Sequence, residues 1–424
     1  MPKLAVKGGK PVRKKPYPEY VAIGRREARA VAEVMKSTVL SRFLGTWSPD
    51  FYGGDRVRAL ESEWCEYFGV PHAISVNSGT SGLNAALGAT GVGPGDEVIC
   101  SPFTMSASAA CALVYNAIPV FADIDPETYC ISAETIAARI TERTKAIVVV
   151  DIFGHPAEMD AIMALAAKHK LKVVEDAAQA PGALYHGRPA GTLADLGVFS
   201  LNYHKTIHTG EGGVVVTRDP QLAEKVQLIR NHAEVVITKK EVPDITNLLG
   251  FNYRMGELEA AIASVQLTRL EKLLERRIEA ADRLTAKLSG LPGFHPPAVK
   301  PDVKHGYYVY AMRLDPEVAG CSRQAFAQAV AAEGVPLSQG YVEPIYLQPL
   351  YQKRQLYGRV GCPFSCPYYG GTVSYDRGLC PVTERMHYRE LMLTNIVHAD
   401  IRDRDLDDFA NAIHKVYEQR RELA

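Results

Sequence analysis

Between about residues 56 and 230, short apolar runs rich in β-branched residues alternate with stretches of helical spacing. HAISV (72–76), EVIC (97–100), PVFADI (119–124), AIVVVDI (146–152), KVVEDA (172–177), LGVFSL (196–201) and GVVVT (213–217) read as buried strands. Residues 82–87, 133–140 and 158–169 carry helical spacing between them. This alternation predicts an α/β unit built on a mostly parallel seven-stranded sheet. Residues 254–288 are nearly free of Gly and Pro, with Leu258, Ile262, Val265, Leu270, Leu273 and Leu274 set among charges, and read as one long amphipathic helix. The Pro/Gly-rich stretch 289–302 then marks a linker. Beyond it, YYVYAMRL (307–314) and helices over 323–332 and 405–422 predict a smaller α+β unit. The expected organisation is an N-terminal arm and loop (1–55), a large α/β domain (56–288) and a small C-terminal domain (289–424).

Composition narrows the function classes. The 424 residues hold 48 basic and 48 acidic side chains, 47% hydrophobic and 23% charged residues. A neutral chain with no basic run beyond Lys14-Lys15 and Arg276-Arg277 lacks the footprint of a nucleic-acid binder. The N-terminal residues have no apolar stretch of signal-peptide type, and the most apolar segments fall far short of the ~20 residues that span a bilayer. Eight cysteines are too scattered for a disulfide scaffold. Cys362 and Cys366 lack a partnering His/Cys pair, so no metal site is expected. The cytoplasm is the expected compartment.

In a doubly wound sheet, ligands sit at the carboxyl ends of the strands. Asn77-Ser-Gly-Thr-Ser-Gly82 follows the first strand and opens a helix, where small residues, hydroxyls and free N–H groups make a phosphate cradle; a capped tight turn is the alternative. Val173 to Ala180 ends a buried strand on Asp176, with Gln179 close behind. A carboxylate there needs a cationic partner, which a protonated ring nitrogen would supply, although a helix cap would also explain it. Lys205 stands between two apolar strands, five residues after Ser200 and just before Gly210-Glu-Gly-Gly213. A lysine drawn into a cleft has its pKa lowered and can condense with an aldehyde, whereas most lysines are solvated.

Together, Asn77-Ser-Gly-Thr80, Glu175-Asp-Ala-Ala-Gln179, Ser200-x-x-x-x-Lys205 and Gly250-Phe-Asn-Tyr-Arg-Met255 resemble the pyridoxal phosphate (PLP) site of fold-type I aminotransferases of the DegT/StrS sugar-aminotransferase type. The resemblance covers residues 54–266 and is weaker beyond. It implies that Lys205 holds the cofactor as a Schiff base and shuttles a proton, and that Asp176 keeps the pyridine nitrogen protonated. It further implies that Gln179 bonds the ring hydroxyl, that Gly79, Thr80, Ser81 and Ser200 hold the phosphate, and that Asn252 reaches the site from the second subunit of a homodimer.

Several positions depart from the family pattern. Met105 stands where an aromatic usually stacks on the pyridine ring, and Asp151 replaces a common His. His204 precedes the lysine; related sugar dehydratases carry His in place of the Schiff-base lysine, but counting from Ser200 puts Lys205 there, so transamination is favoured and His204 is expected beside the cofactor. Gly340 to Tyr351 resembles the substrate loop, with Tyr346 at a position where nucleotide-sugar enzymes often carry His. The C-terminal wording lies nearer the branch that aminates cyclitol ketones or makes aminohydroxybenzoate. Trp47, Tyr52, Tyr341, Tyr346 and His204 are therefore expected to meet an acceptor that is a keto-sugar or cyclitol ketone, with L-glutamate or L-glutamine as donor. A dehydratase or aromatising synthase on the same scaffold, and a non-enzymatic PLP-binding regulator, are the alternatives.

Overall fold

The computed structural model describes residues 2–358 and 360–423. Seven strands form the main sheet: β1 (His72–Val76), β2 (Glu97–Cys100), β3 (Ile118–Phe121), β4 (Thr144–Val150), β5 (Lys172–Asp176), β6 (Leu196–Ser200) and β7 (Gly213–Thr217). Their spatial order is β1-β7-β6-β5-β4-β2-β3. Only β7 runs against its neighbours, β1 and β6. All the strands except β7 therefore deliver their carboxyl ends to one edge, and the β5, β6 and β7 side chains that form the middle of the sheet are almost all buried. The strands stop slightly short of the apolar runs that predicted them. Beyond β3, Asp123 turns away to accept hydrogen bonds from the N–H groups of Val382 (2.8 Å) and Thr383 (2.9 Å).

The long helix expected over 254–288 is two helices, Glu257–Leu267 and Leu270–Leu288. At the break the Thr268 hydroxyl donates to the Val265 carbonyl (2.7 Å), a side-chain bond that competes with the helical ladder. Arg269 is drawn sideways to Glu27 (2.9 Å), and Gln266 donates to the same carboxylate (2.7 Å). Apolar periodicity continues through such a kink, so it could not reveal the interruption.

The second sheet pairs Phe294–His295, Tyr310–Leu314, Leu391–Thr394 and Ser338–Gln339, in that order and antiparallel throughout. Helices Leu270–Leu288, Arg323–Ala332 and Asp403–Glu418 bury their apolar stripes against it, together with Leu4 from the N-terminal arm. The stretch from Tyr346 to Cys380 instead packs back on the main sheet, where Tyr346, Tyr351 and Tyr375 surround Phe121.

Candidate active site

The register Val76↔Gly213↔Ser200 brings the ends of β1 and β6 level across the start of β7. From there the chain turns directly into the helix Gly79–Ala89, capped by Ser78, whose Oγ accepts from the Ser81 N–H (3.0 Å). Ser81 Oγ in turn donates to Asn77 Oδ1 (2.6 Å). The first N–H groups of the helix, those of Gly79 and Thr80, have no intrahelical acceptor and point out of its positive end. Close approach requires glycine: a Cβ on Gly79 would lie 2.9 Å from Ser200 Cβ, and one on Gly213 would lie 2.8 Å from the Ser78 carbonyl. Ser200 thus sits against the N-terminus of this helix.

On the adjacent strand, at the same edge, Asp176 ends β5 and is buried. Its Oδ2 accepts from Ser108 Oγ (2.7 Å) and its Oδ1 from the Ala178 N–H (3.2 Å). Burial pushes its pKa up, against the pull of Ser108, Ala178 and Lys205. Lys205, in the turn after β6, is 9% exposed. Burial lowers its pKa to about 8, with Asp176 acting in the opposite sense, and its ammonium lies 4.6 Å from the centre of the Tyr308 ring. The site therefore pairs a lysine that loses its proton readily with a buried acid that forms no ion pair among the described residues, a combination typical of functional sites.

The remaining candidates separate. Gln179 Oε1 accepts from the Phe153 N–H (2.8 Å), and its Nε2 donates to the Tyr341 hydroxyl (3.2 Å). Tyr341 packs edge-on to Phe153 and Phe103, at 5.1 and 5.6 Å between ring centres. Met105 stands out from this edge, 60% exposed. His204 borders the same cleft as Lys205 and Tyr308. Desolvation and the adjacent lysine hold it below the ordinary histidine range. The carbonyl of Asn252 accepts from Asn77 Nδ2 of its own chain (3.2 Å), while its side chain accepts from Arg254 Nε (2.9 Å). Trp47 and Tyr52 meet edge-on at 6.0 Å, with Lys240 over the indole; neither borders the cleft that contains Lys205. Tyr346 is not at the cleft: its ring is buried in the core against Phe121, and its hydroxyl donates to Glu384 (2.6 Å). An aromatic in a loop of irregular sequence gives no periodicity from which that burial could be read.

Residues 47–414 match the model of the DegT/DnrJ/EryC1/StrS aminotransferase family. The chain belongs to this family. It is 40% identical to the L-glutamine:2-deoxy-scyllo-inosose aminotransferase of Streptomyces fradiae, over 73% of this chain and 74% of that protein. It is 35% identical to the spore coat polysaccharide biosynthesis protein SpsC of Bacillus subtilis, over 83% and 89% of the two chains. The crystal structure of 3-amino-5-hydroxybenzoic acid synthase superposes with a TM-score of 0.78 at 25% identity, over 97% of this chain and all of that one.

As a member of the DegT/DnrJ/EryC1/StrS family the protein is an aminotransferase acting on small-molecule donors and acceptors, and PLP is the cofactor of the family. The residues present fit that group. An uncompensated helix terminus beside Ser200 suits a phosphate, and a buried carboxylate bonded only to neutral donors suits a protonated ring nitrogen. Sequence reading missed Ser108, Tyr308 and the Phe103–Phe153 pair. Ser108 lies within a run of Ala and Ser with no distinguishing pattern, and Tyr308 reaches Lys205 only because the second sheet folds over the first.

Proposed function

We propose that this protein moves an amino group from L-glutamate or L-glutamine to a keto-sugar or cyclitol ketone, working as a homodimer. The observation that carries the reading is Lys205, buried, lowered to about 8 and set beside Asp176 at the carboxyl edge of the sheet. When bound, PLP supplies an electron sink for the carbon that loses its proton. Asp176 would hold the ring nitrogen in its protonated form, steadied by Ser108. Gly79, Thr80, Ser81 and Ser200 would hold the phosphate, Gln179 the ring hydroxyl, and Met105 would cover one ring face. Lys205 would hold the cofactor's aldehyde and would move the proton of the reacting substrate carbon. A native pKa near 8 leaves a useful fraction of it unprotonated at neutral pH.

The similarity to scyllo-inosose aminotransferases supports a cyclitol ketone as acceptor, and the similarity to SpsC supports a sugar. Tyr341, which borders Gln179, is the acceptor-side residue the geometry supports best, with His204 acting from the cleft that Lys205 borders and with Trp47 and Tyr52 reaching a partner's site. Asn252 would likewise act across the dimer.

The decisive experiment is optical and kinetic. The purified protein should be yellow, should lose that absorbance on adding glutamine or glutamate, and should then aminate a member of a panel of keto-sugars and inososes. Persistent absorbance with every donor would point to a non-enzymatic binding protein, and formation of an aromatic product would point to the aromatising chemistry named in the 3-amino-5-hydroxybenzoic acid synthase structure. For the dimer, mixing inactive Lys205→Ala with impaired Asn252→Ala protein should restore activity, because one site of each hybrid would be intact; no recovery would place Asn252 in its own chain's site.

A further inference from the structure

Two histidines are buried against each other where residues 297–307 pass the end of β4. His155 is 2% and His305 6% exposed, and their rings meet edge to face with centres 5.3 Å apart. The bonds they make fix both in a neutral form. His155 Nδ1 lies 2.7 Å from the Pro156 carbonyl, which only accepts, so this nitrogen carries the proton and Nε2 is left to accept from the Lys300 N–H (3.3 Å). His305 Nδ1 accepts from the Tyr307 N–H (2.7 Å), so its proton sits on Nε2. Alongside the rings the Gly306 N–H donates to the Gly154 carbonyl (2.7 Å). The two segments are pressed together there, since a Cβ on Gly154 would lie 2.9 Å from the Tyr307 nitrogen.

The surroundings do not favour a charged ring. Burial and Lys300 lower the pKa of His155, against the pull of Asp125. Asp125 is itself occupied by the N–H groups of Glu127 (2.9 Å) and Thr128 (2.8 Å), and Lys300 is tied to Glu127 (2.9 Å). His305 faces His155 and the Tyr307 ring, stacked at 4.1 Å, and burial with the second imidazole holds it well below the histidine range. Tyr129 borders both rings and Cys130 Sγ donates to the His155 carbonyl (3.4 Å); burial keeps both groups neutral. A proton added to either ring therefore turns an acceptor into a donor that faces an N–H: Nε2 of His155 against Lys300, and Nδ1 of His305 against Tyr307.

We infer that His155 and His305 are a pair of positioning residues, a seam that seats the site only while both rings are neutral. That the seated groups serve a reaction rests on the transamination proposed above. On one side of the seam, the Phe153 N–H fixes the amide of Gln179 (2.8 Å). On the other, Tyr307 leads into Tyr308, whose ring centre lies 4.6 Å from the Lys205 ammonium, and the carbonyls of both tyrosines hold Arg277. Opening the seam therefore loosens the glutamine and the lysine ends of the site together. The open chain takes up a proton on each histidine once pH falls below about 6.5, whereas the closed chain resists protonation until lower pH, so acid draws the seam apart.

Hydrogen exchange in the cofactor-loaded protein reads the seam through the amides of Lys300, Gly306 and Tyr307, with β4 as the reference and each rate divided by its intrinsic value at that pH. In the wild type the open fraction should grow as pH falls from 7 to 5, approaching ~100-fold per pH unit because two protons enter. His305→Asn keeps an acceptor for Tyr307 in the place of Nδ1 but cannot titrate, and should cut the slope to ~10-fold per unit. His155→Gln, which keeps an acceptor for Lys300, should do the same, so that if one variant fails to fold the other still decides. The rate at which glutamine removes the cofactor absorbance, taken in each protein relative to its own value at pH 7.5, should fall further at pH 5.5 in the wild type than in the variants. An open fraction independent of pH, or equal slopes in wild type and variants, would overturn the seam and leave the histidines as core packing. Equal acid loss of the rate in all proteins would overturn their positioning role. If no donor removes the absorbance at any pH, the proposed transamination fails, and the exchange slopes still decide the seam.

Discussion

Lys205 shows how burial sets chemistry at a single residue. It titrates near 8 in the folded chain against an ordinary value of 10.5, because desolvation disfavours the ammonium. Between those values the unfolded chain holds the proton that the native chain has lost, so this residue makes stability rise with pH. Below pH 8 its burial costs roughly 3 kcal/mol. Lys205→Met should therefore stabilise the cofactor-free protein by about that amount at pH 7, with the gain disappearing as pH approaches 10.5, as read by urea unfolding; it should also abolish turnover. Ser108→Ala removes a hydrogen bond to the Asp176 carboxylate, worth about 1.5–3 kcal/mol. It should slow the first half-reaction roughly tenfold or more while the protein remains folded. Asp176 was legible in the sequence because it ends an apolar run that must be a strand, and Lys205 because it falls between two such runs, five residues after Ser200. Ser108 was not, because its role depends on which strand its helix packs against.

At the scale of elements, the proposed phosphate cradle depends on how closely the helix Gly79–Ala89 approaches β6 and β7. Gly213→Ala would press a methyl group to 2.8 Å from the Ser78 carbonyl. Overpacking of this kind costs about 1–3 kcal/mol, and here it should displace the helix terminus and raise the cofactor dissociation constant at least ~10-fold in an absorbance titration. The segment that follows Gly340 behaves differently from its resemblance to a substrate loop, since Tyr346 points into the core. Tyr346→Phe would leave Glu384 and the Cys380 N–H without their shared hydroxyl. It should lower stability by about 1–3 kcal/mol with acceptor KM unchanged; a shifted KM would return this residue to the substrate site. The strand segments were readable because a strand buried on both faces is apolar throughout. The break between Leu267 and Leu270 was not, since it follows from Arg269 and Gln266 reaching Glu27, far away in the chain.

Across the whole molecule, the buried charges form a pattern that the net charge of zero conceals. Behind the site, Asp151 and Glu175 are fully buried on adjacent strand ends. Glu175 accepts from the N–H groups of Gly191 (2.7 Å) and Leu193 (2.9 Å), whereas Asp151 accepts from Ala157 N–H (2.9 Å) at one oxygen and meets no donor at the other. Burial, Glu175 and Asp176 all push the Asp151 pKa far up, so it is the member of the pair that keeps its proton. An acid held protonated in the native state and ionised when unfolded makes stability fall as pH rises above the ordinary carboxylate range. Asp151→Asn, which mimics the protonated form, should flatten that fall, giving a protein more stable than wild type at pH 9 in thermal unfolding; an unchanged pH profile would show that Asp151 is ionised. The sequence by itself determined the run of strands, the motifs at their ends and the family, because burial and turn chemistry act on neighbours in the chain. Only the tertiary structure decided which acid meets which hydroxyl, where the aromatic loop packs and that His155 meets His305, because those contacts join residues tens to hundreds of positions apart, where no local pattern records them.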